Sequence, residues 1–254
     1  MEISELKISD NSYDNFAEDY KATKELPIRK WIEDYTLNKL YGNLNGLKVL
    51  DLACGEGTHS RKLKKKGARE VLGVDLSSEM IKLAEASEKG NPLGCKYLVH
   101  DVSTLEKVGE FDLVVAIYLL CYAQTKDELL RFCENTYKNL KKGGRFVGYN
   151  DNPFDKGGDS IEMKKYGFIK QSQKEGRKEG DPIKFTFYNK DGSEFYFNNF
   201  WWSPETYEEA CKKAGFSNFS WEGPFVDESL KIEQKADYDT YLANPPGIGF
   251  SMTK

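Results

Sequence analysis

Val49-Leu-Asp-Leu-Ala-Cys-Gly55-Glu-Gly57 is the stretch that decides how this chain folds. An apolar run ends in glycines, and a basic helical segment from Thr58 to Lys66 follows, stopped by Gly67. The pattern predicts a strand, a tight turn and a helix. Glycines at such a turn let a ligand approach the backbone closely, with amides pointing at it. Glu70–Asp75 reads as the second strand. Asp75 then stands roughly 20 residues past the turn, where a carboxylate accepts both hydroxyls of a ribose. A third carboxylate, Asp101, follows the strand Lys96–Val99. There it suits the exocyclic amine of an adenine, with the Val102 backbone beside the ring. A dinucleotide turn needs a third small residue to pack around a pyrophosphate. Here the series runs Gly55, Gly57, Ser60, with an acidic Asp51 just before it. That carboxylate disfavours a pyrophosphate and suits the cationic aminoacyl end of S-adenosylmethionine, so NAD is the poorer fit.

Outward from this stretch, strands and helices alternate. A first helix is expected from Ile28, Trp31, Ile32 and Tyr35 after Pro27, and another is capped by Ser77 with Met80, Leu83 and Ala84 inward. Strands follow at Phe111–Ile117 and Gly144–Tyr149, separated by a helix with Leu129, Leu130, Cys133, Tyr137 and Leu140 on one face. Near-continuous apolar strands between amphipathic helices imply a parallel sheet covered on both faces, a doubly wound α/β domain. From Asp151 to Asp181 the pattern is polar and aperiodic. Two alternating runs, Ile183–Tyr188 and Glu194–Phe200, then predict a β-hairpin. Ser203-Pro-Glu205 opens a helix with Tyr207, Ala210, Cys211 and Ala214 inward, and strands are expected at Phe216–Trp221 and Ile248–Thr253.

The 254 residues carry 37 Lys+Arg against 41 Asp+Glu, a net charge of −4, which disfavours nucleic acid as a partner. Cys54, Cys95, Cys121, Cys133 and Cys211 are scattered without a C-x-x-C pair and read as reduced thiols of a cytoplasmic protein. The N-terminus lacks the pattern of a signal peptide, and no apolar run is long enough for a membrane span. His59 and His100 have no metal-site spacing, and no metal is expected.

Taken together, the chain resembles the class I S-adenosylmethionine-dependent methyltransferases. Val49–Gly57 is similar to the family's first motif, Val74-Asp-Leu-Ser77 to its second and His100-Asp-Val102 to its third. Phe111–Ile117 matches the fourth strand, and Leu140-Lys-Lys-Gly-Gly-Arg-Phe146 the entry to the fifth. Tyr13–Tyr20 resembles the N-terminal cap of small-molecule members. Tyr118-Leu-Leu-Cys-Tyr122 and Asn244-Pro-Pro-Gly247 are similar to the toxoflavin methyltransferase-like subgroup. The resemblance implies a Rossmann-like, doubly wound sheet of about seven strands with a β-hairpin lid. It divides the chain into an N-terminal cap (residues 1–46), a cofactor-binding core (47–150), a substrate lid (151–202) and a C-terminal part completing the core (203–254). It also implies roles. Ala53, Gly55 and Gly57 would hold the aminoacyl part, Asp75 and Leu76 the ribose. Met80 and Val102 would sandwich the adenine with Asp101 on its amine. Ile117 would lie beside the sulfonium, Arg29 near the methionine carboxylate, and Tyr20 in the cap.

The expected reaction is methyl transfer to a nitrogen, with oxygen as the alternative, of a small molecule oriented by Tyr118, Tyr122, Asn150 and Asp151. An RNA or protein acceptor would need a basic groove in the insertion, where Lys164, Lys165, Lys170, Lys174, Arg177 and Lys178 stand. A catalytically silent cofactor-binding module is a further alternative. In the hairpin, alternation puts Phe185, Phe187, Phe195 and Phe197 on one side as lid core, leaving Tyr188 and Tyr196 to face the pocket.

Overall fold

The apolar Lys48–Leu52 segment forms β1 at the centre of the main sheet because helices cover it on both faces. The computed structural model describes Thr23, residues 25–189 and residues 192–254. The parallel strands are β1, β2 (Glu70–Asp75), β3 (Cys95–Val99), β4 (Phe111–Ile117) and β5 (Leu140–Asp151). Outside the main sheet lie β6 (Phe168–Gln171), β7 (Pro182–Tyr188) and β8 (Glu194–Phe200). The C-terminal strands β9 (Ser217–Glu222) and β10 (Gly247–Thr253) return to it, and β10 runs antiparallel to β5. The main sheet thus has seven strands in the order β3-β2-β1-β4-β5-β10-β9. Chain direction outward reverses between β1 and β4, the switch point where ligands of such sheets bind.

The helices are α1 (Asp34–Tyr41), α2 (Thr58–Lys65), α3 (Ser78–Gly90), α4 (Lys126–Asn139), α5 (Pro204–Ala214), α6 (Ile232–Ala236) and α7 (Asp239–Ala243). Ser77, Thr125 and Ser203 cap α3, α4 and α5 by accepting backbone N–H bonds. Two differences from the periodicity reading have simple causes. Leu140 leaves the helix and opens β5, because Asn139 already closes α4 by donating to the Glu106 and Asn135 carbonyls. On α3, Ile81 is buried where Leu83 is only half-buried. A π-turn, Arg29–Glu33, precedes α1, and its wider pitch turns both Arg29 and Glu33 inward. All five cysteines are buried and unbridged.

The insertion is more than a hairpin. β6 pairs with β7, and β7 with β8, giving a three-stranded antiparallel sheet. Its first strand hides in the sequence because an inward position carries Lys170, 1% exposed and ion-paired to Asp155. The tyrosine reading fails as well. Tyr196 is 48% exposed with Lys184 over its ring, and Tyr188 lies under Lys164. The phenylalanine face is the one turned toward the main sheet, where it packs with Ile28, Ile32 and Tyr241.

Candidate active site

The turn after β1 is a backbone device. Ala53 and Gly55 adopt φ of 54° and 55°, the Cys54 N–H bonds to the Val74 carbonyl at 3.0 Å, and Gly57 enters α2 at φ 80°. A Cβ on Gly57 would stand 2.5 Å from the Tyr97 hydroxyl, whereas one on Gly55 would meet nothing within 4 Å. Gly55 therefore leaves room for a ligand against its backbone, and Gly57 is required by packing.

The three carboxylates are gathered at the ends of neighbouring strands, and each is already held. Asp75 accepts the Gly55 N–H at 2.7 Å and the Ser77 N–H at 2.9 Å, one on each oxygen. Asp101 accepts the Ser103 N–H and hydroxyl, both at 2.7 Å, and the His100 N–H on the Asp75 carbonyl brings the two segments together. Asp51 is buried and accepts the Ser60 hydroxyl at 2.5 Å. Asp51 and Asp101 thus have partners within the chain. Leu76 is half-exposed beside Asp75, while Met80, Val102 and Ile117 are buried. Tyr20 lies outside the described residues. Burial holds the Cys54 thiol well above its usual range, so it is neutral. Sequence reasoning passed over Glu56, which is buried between the glycines with neither oxygen bonded among the described residues.

Across the switch point lies a second construction. Tyr118 follows β4 in a left-handed conformation, φ 58°, fixed by its own N–H on the Tyr149 carbonyl and by its hydroxyl, which donates to Glu33 at 2.8 Å. Arg29 pairs with Glu33 and stands 5.0 Å above the Tyr118 ring. Arg29 and Tyr118, with Ile28, form one wall of a pocket with about 450 Å³ of space between protein atoms, part of it open to solvent. Phe168, Phe185, Phe187 and Phe197 of the insertion form the other wall, and Tyr122, Asp151, Asn199 and Tyr241 complete it. Asn150 does not line it: the side chain is fully buried and its carbonyl accepts the Cys121 N–H, so it braces the turn after β4.

Burial pushes Asp151 up to about 6, against the pull of the Lys170 charge and of Asn199, whose Nδ2 donates to Oδ2 at 2.7 Å. Burial also raises Tyr118 and Tyr122 well above the usual phenol range, with the Glu33 and Asp151 charges adding to it. Both phenols stay protonated at neutral pH. His59 has its ring nitrogens 3.9 Å from Glu33 and Asp34, and among the described residues no three His, Cys, Asp or Glu side chains gather as a metal site. Asn199 and Phe168 were missed from sequence. Asn199 had a signal: it follows Phe195 and Phe197 at the same alternation, a polar group on an apolar face. Tyr241 had none.

Residues 49–144 match the model of a methyltransferase domain. Among curated relatives, the ubiquinone biosynthesis O-methyltransferase of Bordetella avium is 30% identical over 132 residues, covering 50% of this chain and 51% of that protein. The mRNA cap guanine-N(7) methyltransferase of Caenorhabditis elegans is 30% identical over 140 residues, covering 48% and 37%. The chain spans about half the length of the curated relatives it matches. A solved S-adenosylmethionine-dependent methyltransferase from Mesorhizobium loti superposes with a TM-score of 0.64 at 20% identity, covering 87% of this chain and 97% of that one. The chain carries a methyltransferase domain. Its fold is that of the class I S-adenosylmethionine-dependent methyltransferases.

Proposed function

We propose that the protein transfers the methyl group of S-adenosylmethionine to a nitrogen or oxygen of a small molecule held in the aromatic pocket. The observation that carries this reading is the position of the pocket. It lies at the ends of β4 and β5, between the main sheet and the insertion, across the switch point from the open Gly55 turn. The residues there fit the cofactor: Gly55 leaves its backbone approachable, and Asp75, Asp101 and Asp51 stand at adjoining strand ends. In this reading the Ala53, Gly55 and Gly57 backbone with Asp51 holds the aminoacyl part, Asp75 and Leu76 the ribose, and Met80, Asp101 and Val102 the adenine. When bound, the cofactor supplies a methyl already activated by its sulfonium. The chain's own part is alignment and exclusion of water, worth most when reacting atoms are held about 3–3.5 Å apart. The apolar wall excludes water, protonated Tyr118 and Tyr122 act as donors or contacts only, and Asp151 is the group able to take a proton.

The Caenorhabditis relative raises an RNA acceptor as a second reading. Against it, Lys170 and Arg177 are tied to Asp155 and Lys164 stacks on Tyr188, so three of the insertion's six candidate groove cations are engaged within the chain. Calorimetry with S-adenosylhomocysteine and NAD, followed by methyl transfer from labelled cofactor to a metabolite extract and to total RNA, tests the proposal. Binding of S-adenosylhomocysteine but not NAD, with label in small molecules, is expected. Label confined to RNA would replace the acceptor assignment, and binding without any transfer would favour a silent module.

A further inference from the structure

The pocket combines an aromatic wall with two buried oxygens that find no hydrogen-bond partner among the described residues. Phe187 lies 5.5 Å from Phe195 and 5.6 Å from Phe197, with ring planes inclined by only 12° and 20°. Phe197 meets Phe185 at 5.8 Å and 22°. Centroids this close with nearly parallel planes mean rings stacked against one another, a continuous aromatic wall of stepped ring faces and edges that suits an aromatic ligand. In the same pocket lining, Asp151 Oδ1 and Asn199 Oδ1 are buried and find no donor among the described residues. The two side chains are 4% and 1% exposed, and both line the pocket. They are joined to each other through Asn199 Nδ2 and Asp151 Oδ2, so the two unmet oxygens belong to one hydrogen-bonded unit. The Tyr118 hydroxyl does not reach them, because it is committed to Glu33.

A buried acceptor left unmet is costly, and a native site that keeps two invites a ligand that meets both. The unmet atoms are both acceptors, so the ligand's matching edge carries donors. A hydroxyl donates one hydrogen, whereas a primary amine donates two from a single atom. We propose that the pocket selects a planar aromatic amine, its ring on the Phe185–Phe187–Phe197 wall and its two N–H bonds given to Asp151 Oδ1 and Asn199 Oδ1. This assignment rests on the reading of the pocket as the acceptor site, and it favours nitrogen over oxygen as the atom presented there.

Aniline, phenol and N,N-dimethylaniline share one ring and offer two, one and no donor hydrogens. Their affinities are to be measured by ligand-observed NMR on wild type, Asp151→Asn and Asn199→Leu, with S-adenosylhomocysteine present and absent. Aniline is expected to bind wild type about tenfold more tightly than dimethylaniline, with phenol between them. In either variant the aniline advantage should shrink several-fold, while dimethylaniline keeps its affinity. If the three probes bind wild type alike, if none binds, or if the advantage survives both substitutions, the assignment is overturned. The wild-type comparison decides this even if a variant fails to fold. The cofactor reading fails separately: bound S-adenosylhomocysteine without amine preference sinks only this inference, and amine preference without S-adenosylhomocysteine binding sinks only that reading.

Discussion

The two sides of the switch point are made of different material. At the ends of β1 to β3 the site is backbone: glycine dihedrals, an amide bonded to the neighbouring strand, and carboxylates anchored by N–H groups. At the ends of β4 and β5 the site is side chain: stacked phenyl rings, a buried carboxylate and an amide with unmet oxygens. Backbone recognition depends on a local turn and suits an invariant ligand. Side-chain recognition depends on which face of the insertion meets the sheet, so a few substitutions change what it accepts.

The sharpest test of this contrast is Asp75→Ala. Charge-assisted hydrogen bonds are worth about 1.5–3 kcal/mol each, so losing a pair to a ribose should weaken S-adenosylhomocysteine by about 100-fold or more. Calorimetry would show it, while aniline binding should stay near wild type. Equal cofactor affinity in the two proteins would remove the ribose role. Next in size is Phe187→Ala, expected to cost about 3 kcal/mol in denaturant unfolding. That lies at the lower end for a buried ring, because one side of Phe187 already faces the pocket. Asp151 gives a pH-dependent effect of similar size. Its folded-state value of about 6 lies above the ordinary 3.8, so its contribution is full at low pH and is lost as pH rises through about 6. Asp151→Asn should therefore gain on wild type by about 2.5 kcal/mol between pH 4 and pH 8, read from paired unfolding curves. A gap that stays constant with pH would show that the carboxylate is not held as described. Smallest is Tyr196→Ala, within about 0.5 kcal/mol in stability and without effect on either ligand. A loss comparable to that of Phe187→Ala would mean the outer face is packed after all.

The same contrast explains what was legible in the sequence. Gly55, Gly57 and Asp75 announce themselves because a strand-turn-helix fixes them within a few residues of one another. The strands of the parallel half and its doubly wound class followed from alternation, since buried parallel strands have a composition that solvent-facing segments do not. The insertion defeated the same reasoning. Alternation separated its phenylalanines from its tyrosines correctly, but only docking against Ile28 and Tyr241 decides which face borders the pocket. β6 was hidden by Lys170, whose inward charge looks exposed until Asp155 is found beside it. Asn150 was expected beside Asp151 at the acceptor, yet successive residues of a strand point to opposite sides.

The buried charges beneath the insertion also bear on how molecules come and go. Asp155 receives Lys170 on one oxygen and Arg177 on the other, and their charges hold its carboxyl below the usual range despite burial. The segment carrying Asp155 is itself bound to the C-terminal turn, with the Asn152 N–H on the Pro246 carbonyl at 2.9 Å and its side-chain amide on the Pro245 carbonyl at 2.8 Å. Pulling β6 away from this segment would strand a buried ion, at about 3–5 kcal/mol. At that cost the parted state is populated between roughly one part in a hundred and one in ten thousand. The phenylalanine wall is then a fixed jamb rather than the door.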